Sequence, residues 1–559
     1  MKIPFTKPFL LLAALLLSFS IITHAQNWNL ALSSSDTFSY ARENCSKCEA
    51  TDAAGNVFIL ANGAGVNVTF GSKSIQNPAS ANTMVVKFDS SGNYIWSCSI
   101  YCKSNFLENK VTGMSIATDA SGNVLVTGYC NSDTLIFDSL ILVKGVFSVS
   151  EGNSFLAKYD ASGHVLWART VNEGSAAIDP ISVTTDNSGN IYLAGVGSGL
   201  TVPADTLISD SVRLIFGIAS HDLFLLKYDS SGHTIWGRKS DGSPCNFCSS
   251  TTDPAGNTWL LGQMIDYVIS FDTLTLAGSQ FSTVIVKYNS SGHAVWGTTN
   301  YDLGSFYAPW DIAVDHNDNI YVTDQYFLGD SATFGTIVIK DTVTNYRGEI
   351  LLVKYDSSGS ARWVKNRMDT NTNFFKRIAL DNSGNVYVTG TDSTSRIYLA
   401  KYDTAGNNQW IASANAGSAS FPQTIATDPW ANVYVLGEFN CPEIEFGSIS
   451  LTNTGPGAST PNLFLARESG YKPTEVINKR PAGQDILMYP NPATDEVTLS
   501  FPGNNHQIGG EISISNLLGQ VVKTCSYNAA QVQINLASLQ SGIYLVRING
   551  IEVRKLVKE

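Results

Sequence analysis

One phrase recurs seven times in this 559-residue chain: an Asp, a tight turn carrying Gly and Asn, then an apolar strand. The aspartates are Asp52, Asp119, Asp186, Asp253, Asp315, Asp381 and Asp428, separated by 67, 67, 67, 62, 66 and 47 residues. A second phrase of the form Lys-Tyr-Asp-x-x-Gly-x-x-x-Trp interleaves with it, ending at Trp96, Trp167, Trp236, Trp296, Trp363 and Trp410. Periodicity on this scale means one supersecondary unit copied and stacked, because a single copy cannot bury its own apolar face.

The second copy shows what the unit is. Met114 to Asp119 is apolar and β-rich, Ala120-Ser121-Gly122-Asn123 is turn chemistry, and Val124 to Thr127 is the return strand. After an insertion, Phe155 to Asp160 and Val165 to Arg169 form a second pair around Ala161-Ser162-Gly163-His164. Asp bonds its own backbone in such turns and Gly accepts positive φ. Four antiparallel strands per unit predict the blade of a propeller. The sixth unit is short because it lacks only the insertion. The seventh has strands at Val433 to Gly437 and Asn462 to Arg467 but no Trp-bearing fourth strand. Trp28, within Asn27 to Ser33, is expected to supply it and to close the ring, removing exposed sheet edges.

These phrases resemble the seven-bladed β-propeller repeat known as SBBP over roughly residues 27 to 470. The resemblance implies an all-β fold, a seven-bladed β-propeller closed by the N-terminal strand, and it carries no activity. The repeated Trp residues are expected to pack between blades, each burying ~150–250 Å². His164, His233 and His293 share a turn slot that holds Asn93, Ser360 and Asn407 in other copies, so turn preference is the simplest account of them.

Both ends read as export signals. Lys2 and Lys7 precede an apolar run from Phe9 to Ile22, with Thr23-His24-Ala25 at the cut, the pattern of a secretory signal peptide over residues 1–25. No later segment is apolar enough to predict a membrane-spanning helix. The repeats occupy 26–470, and 471–485 reads as a linker containing Pro473 and Pro481. Residues 486–559 carry Tyr489-Pro490-Asn491-Pro492, then short strands near Val497–Phe501, Ile512–Ile514, Val521–Thr524 and Val532–Ile534. Leu518-Gly519-Gln520, Ser541-Gly542-Ile543-Tyr544 and a terminal Lys555-Leu556-Val557-Lys558 complete the pattern. The segment resembles the type A C-terminal sorting domain of Bacteroidetes type IX secretion. That resemblance implies a small β-sandwich, engagement with the secretion machinery, and a secreted or outer-membrane surface location after export to the periplasm.

Strand alternation places the short Asp turns on one face and all long, variable connections on the other. Binding residues concentrate on variable loops over a rigid scaffold. The candidates are therefore the aromatics of that face: Tyr101, Phe106, Tyr301, Phe306, Tyr307, Trp310, Phe374 and Phe375. Eight of the nine cysteines map there too: Cys45, Cys48, Cys98, Cys102, Cys130, Cys245, Cys248 and Cys441. In an exported chain the Cys45-x-x-Cys48 and Cys245-x-x-Cys248 pairs read as local disulfides rather than a zinc site. The formal charge of −12 without a basic cluster argues against nucleic acid as a partner. No nucleophile elbow, metalloprotease helix or nucleotide loop is present, and no cofactor or metal is expected. The leading reading is a non-enzymatic binding module for glycan or protein. The alternatives are a polysaccharide hydrolase or lyase with carboxylates in a channel, and a structural envelope or matrix component.

Overall fold

The computed structural model describes residues 28–34, 47–63, 67–70, 73–76, 82–102, 111–132, 134–143, 153–200, 204–299, 309–326, 331–340, 349–366, 372–392, 396–416, 420–454, 461–469, 487–500, 510–516, 521–527, 529, 531–548 and 552–558. The expected signal segment at 1–25 and the expected linker at 471–485 lie outside them. The chain divides into two compact units, Met1–Tyr471 and Lys472–Glu559.

The first unit is all β, built from seven four-stranded antiparallel meanders, called repeats I to VII below. Repeat II, for example, consists of Val111–Thr118, Val124–Cys130, Asn153–Tyr159 and Val165–Thr170, paired in that order. The first strands of successive repeats pack side by side, and that of repeat VII lies against that of repeat I. Threonine hydroxyls stitch several of them together: Thr185 donates to Thr118 O, Thr118 to Thr51 O and Thr51 to Thr427 O, at 2.8, 2.7 and 2.7 Å.

The all-β expectation holds, but the closed propeller does not. Among the described residues every sheet is open: each has two edges, and none returns to pair with its own first strand. The N-terminal strand Trp28–Ser33 is the edge strand of repeat VII, paired antiparallel to Asn462–Glu468. It completes one meander without closing a sheet.

Each repeated residue has a local task. Asp119 Oδ1 accepts the backbone N–H groups of Ser121 and Asn123 at 2.9 and 3.0 Å, and Oδ2 accepts Asn123 Nδ2 at 2.8 Å. The same three bonds recur at Asp52, Asp186, Asp253, Asp315, Asp381 and Asp428. In the second phrase, Lys and Trp act together on the next repeat. Lys158 Nζ and Trp167 Nε1 both donate to Ser230 O at 3.3 Å, and Lys87 and Trp96 both donate to Ala161 O at 3.1 and 3.0 Å. The indole then lies flat against the Gly of that turn. A Cβ on Gly163 (φ 89°) would sit 2.7 Å from Trp96, closer than any packed carbon pair.

The boundary from repeat VII to repeat I departs from this pattern. Leu30, opposite Arg467, takes the Trp position, and a Cβ on Gly92 would meet it at 2.6 Å. Arg467 takes the Lys position and donates to Ser90 O. Trp28 pairs with Glu468 beyond a register shift and packs edge-on against Phe446, centroids 5.1 Å apart. The expectation that Trp28 fills the seventh Trp slot is thus off by two residues.

The insertions are β-hairpins that cross repeat boundaries. Thr134–Phe137 and Leu140–Val143, inserted in repeat II, extend the sheet of repeat I through Leu135 opposite Cys102. Val268–Phe271 of repeat IV and Glu443–Phe446 of repeat VII extend the sheets of III and VI in the same way. Their tips need positive φ: Asp138, Asp210 and Asp272 take 52°, 49° and 54°, where Gly335 and Gly447 take 59° and 60°.

The C-terminal unit has two sheets, one ordered Leu487–Tyr489, Glu496–Ser500, Gln531–Asn535 and the other Val521–Tyr527, Gly510–Ser515, Gly542–Ile548, Glu552–Lys558. Val497, Leu499 and Ile534 from one and Ile512, Ile514, Val546 and Leu556 from the other share one buried core.

Candidate functional site

An open-sided cleft of about 390 Å³ lies on the flank of the first unit, at the boundary between repeats I and II. Three elements build it. The fourth strand of repeat I, Tyr94–Cys102, supplies Trp96, Ser97, Cys98, Ser99 and Tyr101; the inserted hairpin supplies Asp138 at its tip; the third-to-fourth turn of repeat II supplies Ser162, Gly163 and His164. Trp96 is fixed there by its bond to Ala161 O and by Phe58, 6.0 Å away centroid to centroid. His164 is three-quarters exposed and its Nδ1 lies 3.4 Å from Asp160 Oδ2. Burial, eased by the Tyr159 hydroxyl, pushes the Cys98 thiol up to about 12, so it is a thiol and not a nucleophilic thiolate at neutral pH.

The next two boundaries repeat the frame with one change. At II–III the frame is Trp167, Asp210, Gly232 and His233; at III–IV it is Trp236, Asp272, Gly292 and His293. Two residues beyond each Trp stands an arginine. Arg169 reaches Asp210 Oδ1 at 3.5 Å and His233 Nδ1 at 3.2 Å. Arg238 lies 5.6 Å from the centroid of Trp236 and donates to Gly292 O at 2.7 Å. The corresponding residue at I–II is Cys98.

A second polar cluster sits on the first strands. Asp311 Oδ1 accepts Ser249 Oγ and its own strand's Ile312 N at 2.7 and 2.9 Å, and Oδ2 accepts Ile378 N at 3.2 Å. Arg377 donates to Gln423 O and Trp310 O at 2.9 and 3.1 Å. Lys47 reaches from repeat I to Ser250 O of repeat IV at 3.1 Å. Burial lowers its pKa, Asp311 opposes this and Arg377 adds to it. These bonds tie repeats I, IV, V, VI and VII together, a structural use of the charges.

Of the sequence candidates, Tyr101 lines the cleft and Trp310 stands at the start of repeat V, its carbonyl bound by Arg377. Phe374 and Phe375 lie in the strand Thr372–Leu380, their side chains outside the described residues. Phe106, Tyr301, Phe306 and Tyr307 also lie outside them. Whether these aromatics form one surface thus lies outside the described residues. His164, read from sequence as a turn residue, does make the turn's bond from its N–H to Asp160 Oδ1 at 2.9 Å, yet its ring also lines the cleft.

The disulfide expectation is corrected at Cys98, Cys102, Cys130, Cys245 and Cys441. Cys98, Cys102, Cys130, Cys245, Cys441 and Cys525 are not in disulfides, and no disulfide joins two described residues. Cys48 is disulfide-bonded, with its partner outside the described side chains. Cys45 and the side chain of Cys248 are likewise outside. Cys130, Cys245 and Cys441 are buried in the apolar clusters between strands, where cysteine serves as a small hydrophobe.

Residues 487–559 match the family model of the secretion system C-terminal sorting domain. The chain is thus a secreted or cell-surface, β-sheet-rich protein of the type IX pathway, and no described helix is long and apolar enough to cross a membrane. Among curated proteins it is 24% identical over 212 residues to an uncharacterized WD repeat-containing protein of Acanthamoeba polyphaga mimivirus, covering 33% of this chain and 15% of that one. It is 35% identical over 72 residues to β-agarase A of Zobellia galactanivorans, covering 13% of each. The chain thus spans only 15% and 13% of these relatives. Similar solved structures include a chain of the mitotic checkpoint complex (TM-score 0.40, 10% identity, 84% of this chain and 96% of that). PorZ, a surface component of the type IX secretion system of Porphyromonas gingivalis, gives TM-score 0.27 and 10% identity over 94% and 99%. A streptogramin B lyase gives 0.36 and 10% over 78% and 99%.

Proposed function

We propose that this exported protein is a binding module that holds a surface glycan or a protein in the flank cleft, without turning it over. The open cleft at the I–II boundary is the observation that supports this. It offers the rings of Trp96 and Tyr101 beside the acceptor Asp138, the imidazole of His164 and the hydroxyls of Ser97, Ser99 and Ser162. Ring faces with a few convergent polar groups are the usual make-up of a ligand pocket of this size. The channel hydrolase or lyase is less favoured, because both Asp311 oxygens already accept bonds from neighbouring strands.

The test is binding of the purified full chain to a glycan array and to envelope proteins, with Tyr101→Ala and Asp138→Gly as variants. Saturable binding lost in both supports the cleft. Binding untouched by either moves the site elsewhere. Cleavage of a polysaccharide that Asp311→Asn abolishes replaces the reading with an enzyme.

A further inference from the structure

The three flank boundaries differ in one residue, and that residue points to a ligand. At II–III the hairpin-tip Asp210 and the turn histidine His233 both contact Arg169, two residues beyond the indole of Trp167; at III–IV Arg238 lies over the indole of Trp236 and donates to Gly292 O, while the tip Asp272 pairs with His293. At I–II the same indole, aspartate and histidine are present, and the arginine position holds the short Cys98. Boundary IV–V shows what happens when the set is dispensable. There the arginine position is Thr298, the hairpin tip is Gly335 and the turn residue is Ser360, so cation, anion and imidazole are all absent together. Boundary I–II has kept the anion and the imidazole without the cation.

Asp138 is not required by its turn. Its φ of 52° is a left-handed conformation in which a side chain costs energy, and Gly335 fills the equivalent tip at 59° with nothing within 4 Å of where its Cβ would be. At the sister tips, Asp210 bonds Arg169 and the backbone N–H of Thr234, and Asp272 bonds His293.

Resting on the binding-module reading, we propose that the I–II cleft receives an arginine side chain of a partner protein. The guanidinium would take the place that Arg169 and Arg238 hold at the next two boundaries. The cleft's chemistry suits it: a carboxylate for charge-assisted hydrogen bonds and an indole for cation–π contact, which favours arginine over lysine. The formal charge of −12 favours encounter with a basic partner. The volume of about 390 Å³ admits the side chain with part of its flanking backbone.

The experiment uses the full chain and three short capped peptides, identical but for a central arginine, lysine or citrulline, with binding read by calorimetry. The arginine peptide is expected to bind, the lysine peptide several-fold more weakly, and the uncharged citrulline peptide not measurably. Asp138→Gly, which Gly335 shows the fold accommodates, should weaken arginine binding at least tenfold. Cys98→Arg should fill the cleft from within and abolish binding; a melting curve checks that it folds. Equal binding of citrulline, or arginine binding indifferent to Asp138→Gly, overturns the proposal. No arginine binding alongside glycan binding lost in Tyr101→Ala overturns it while leaving the binding module standing. No binding of peptide, glycan or envelope protein removes both.

Discussion

The II–III and VII–I boundaries perform the same mechanical task with different residues. At II–III, Lys158 and Trp167 grip the carbonyl of Ser230 and the indole covers Gly232. At VII–I, Arg467 grips the carbonyl of Ser90 and Leu30 covers Gly92. The common requirement is a cationic donor and an apolar surface meeting a side-chain-free turn. Residue identity is secondary to position, since leucine and arginine satisfy that requirement where the chain is joined from two distant segments. Trp28, freed from the slot, packs instead with Phe446 in the cluster that also holds Phe464.

The largest test of this comparison is removal of residues 28–34. The deletion strips the partner from Asn462–Glu468 and uncovers Phe464 and Phe446. Losing Trp28 burial alone is worth ~3–5 kcal/mol, so the thermal transition should fall by many degrees and repeat VII should become protease-sensitive. Single changes then divide the two roles. Trp28→Ala should cost ~3–5 kcal/mol and Leu30→Ala ~2–3 kcal/mol. Leu30→Ala should also loosen repeat I at the Gly92 turn, read by hydrogen exchange. If Trp28→Ala loosened that turn and Leu30→Ala did not, the register at the VII–I boundary would be wrong.

A smaller effect separates turns that carry a neighbour from those that do not. Gly163 and Gly335 both have positive φ, 89° and 59°. Only Gly163 lies under an indole, with Trp96 2.7 Å from where a Cβ would stand, whereas Gly335 has nothing within 4 Å. Gly335→Ala should cost only the left-handed strain, about 1 kcal/mol. Gly163→Ala should cost roughly 1–3 kcal/mol more through displacement of the indole. Equal losses in urea unfolding would mean that the boundary contact contributes nothing.

The part of this architecture legible in sequence was the part with a local cause. Asp119, Gly122 and Asn123 form their turn from bonds within five residues, so the motif and its strands can be read along the chain. The inserted hairpins could be suspected, but not their crossing to the preceding sheet, since Leu135 finds Cys102 through non-local pairing. Sheet closure was inferred from an unmatched Trp, and the structure instead gives open sheets with Trp28 two residues from the expected place. The flank cleft was missed for a related reason. Its signal is Asp138 with His164, and Cys98 where Arg169 and Arg238 stand. Each residue is unremarkable in its own turn or strand, and the set becomes visible only when hairpin tips are aligned across repeats. The Cys245-x-x-Cys248 motif misled because Cys245 turns into the apolar core with Met264 and Leu223 rather than toward another sulfur.

The smallest expected effect lies again at the VII–I boundary and depends on pH. Glu49 is buried on the first strand of repeat I, where the other repeats have Ile116, Val183, Ser250, Ile312, Ile378 and Ile425. Burial raises its pKa well above the usual carboxylate range, and the nearby backbone of Leu436 of repeat VII only partly offsets this. A carboxyl whose folded pKa is raised holds its proton in the native state after the unfolded chain has released its own. Stability is therefore unaffected below the unfolded pKa and falls as pH rises through the window up to the folded pKa. Asp119 has the opposite slope: burial pushes its carboxyl up, but hydrogen bonds from Asn123 and Lys158 outweigh that and lower its folded pKa, so its contribution is lost as pH falls. Glu49→Gln removes the titration and keeps the shape. The variant should match the parent at pH 4 and exceed it by on the order of 1 kcal/mol at pH 8, read from paired denaturant curves. A gap that does not change between the two pH values would mean that Glu49 keeps an ordinary carboxylate pKa in the folded protein, and that at pH 8 the VII–I boundary accommodates a buried charge as well as a replaced tryptophan.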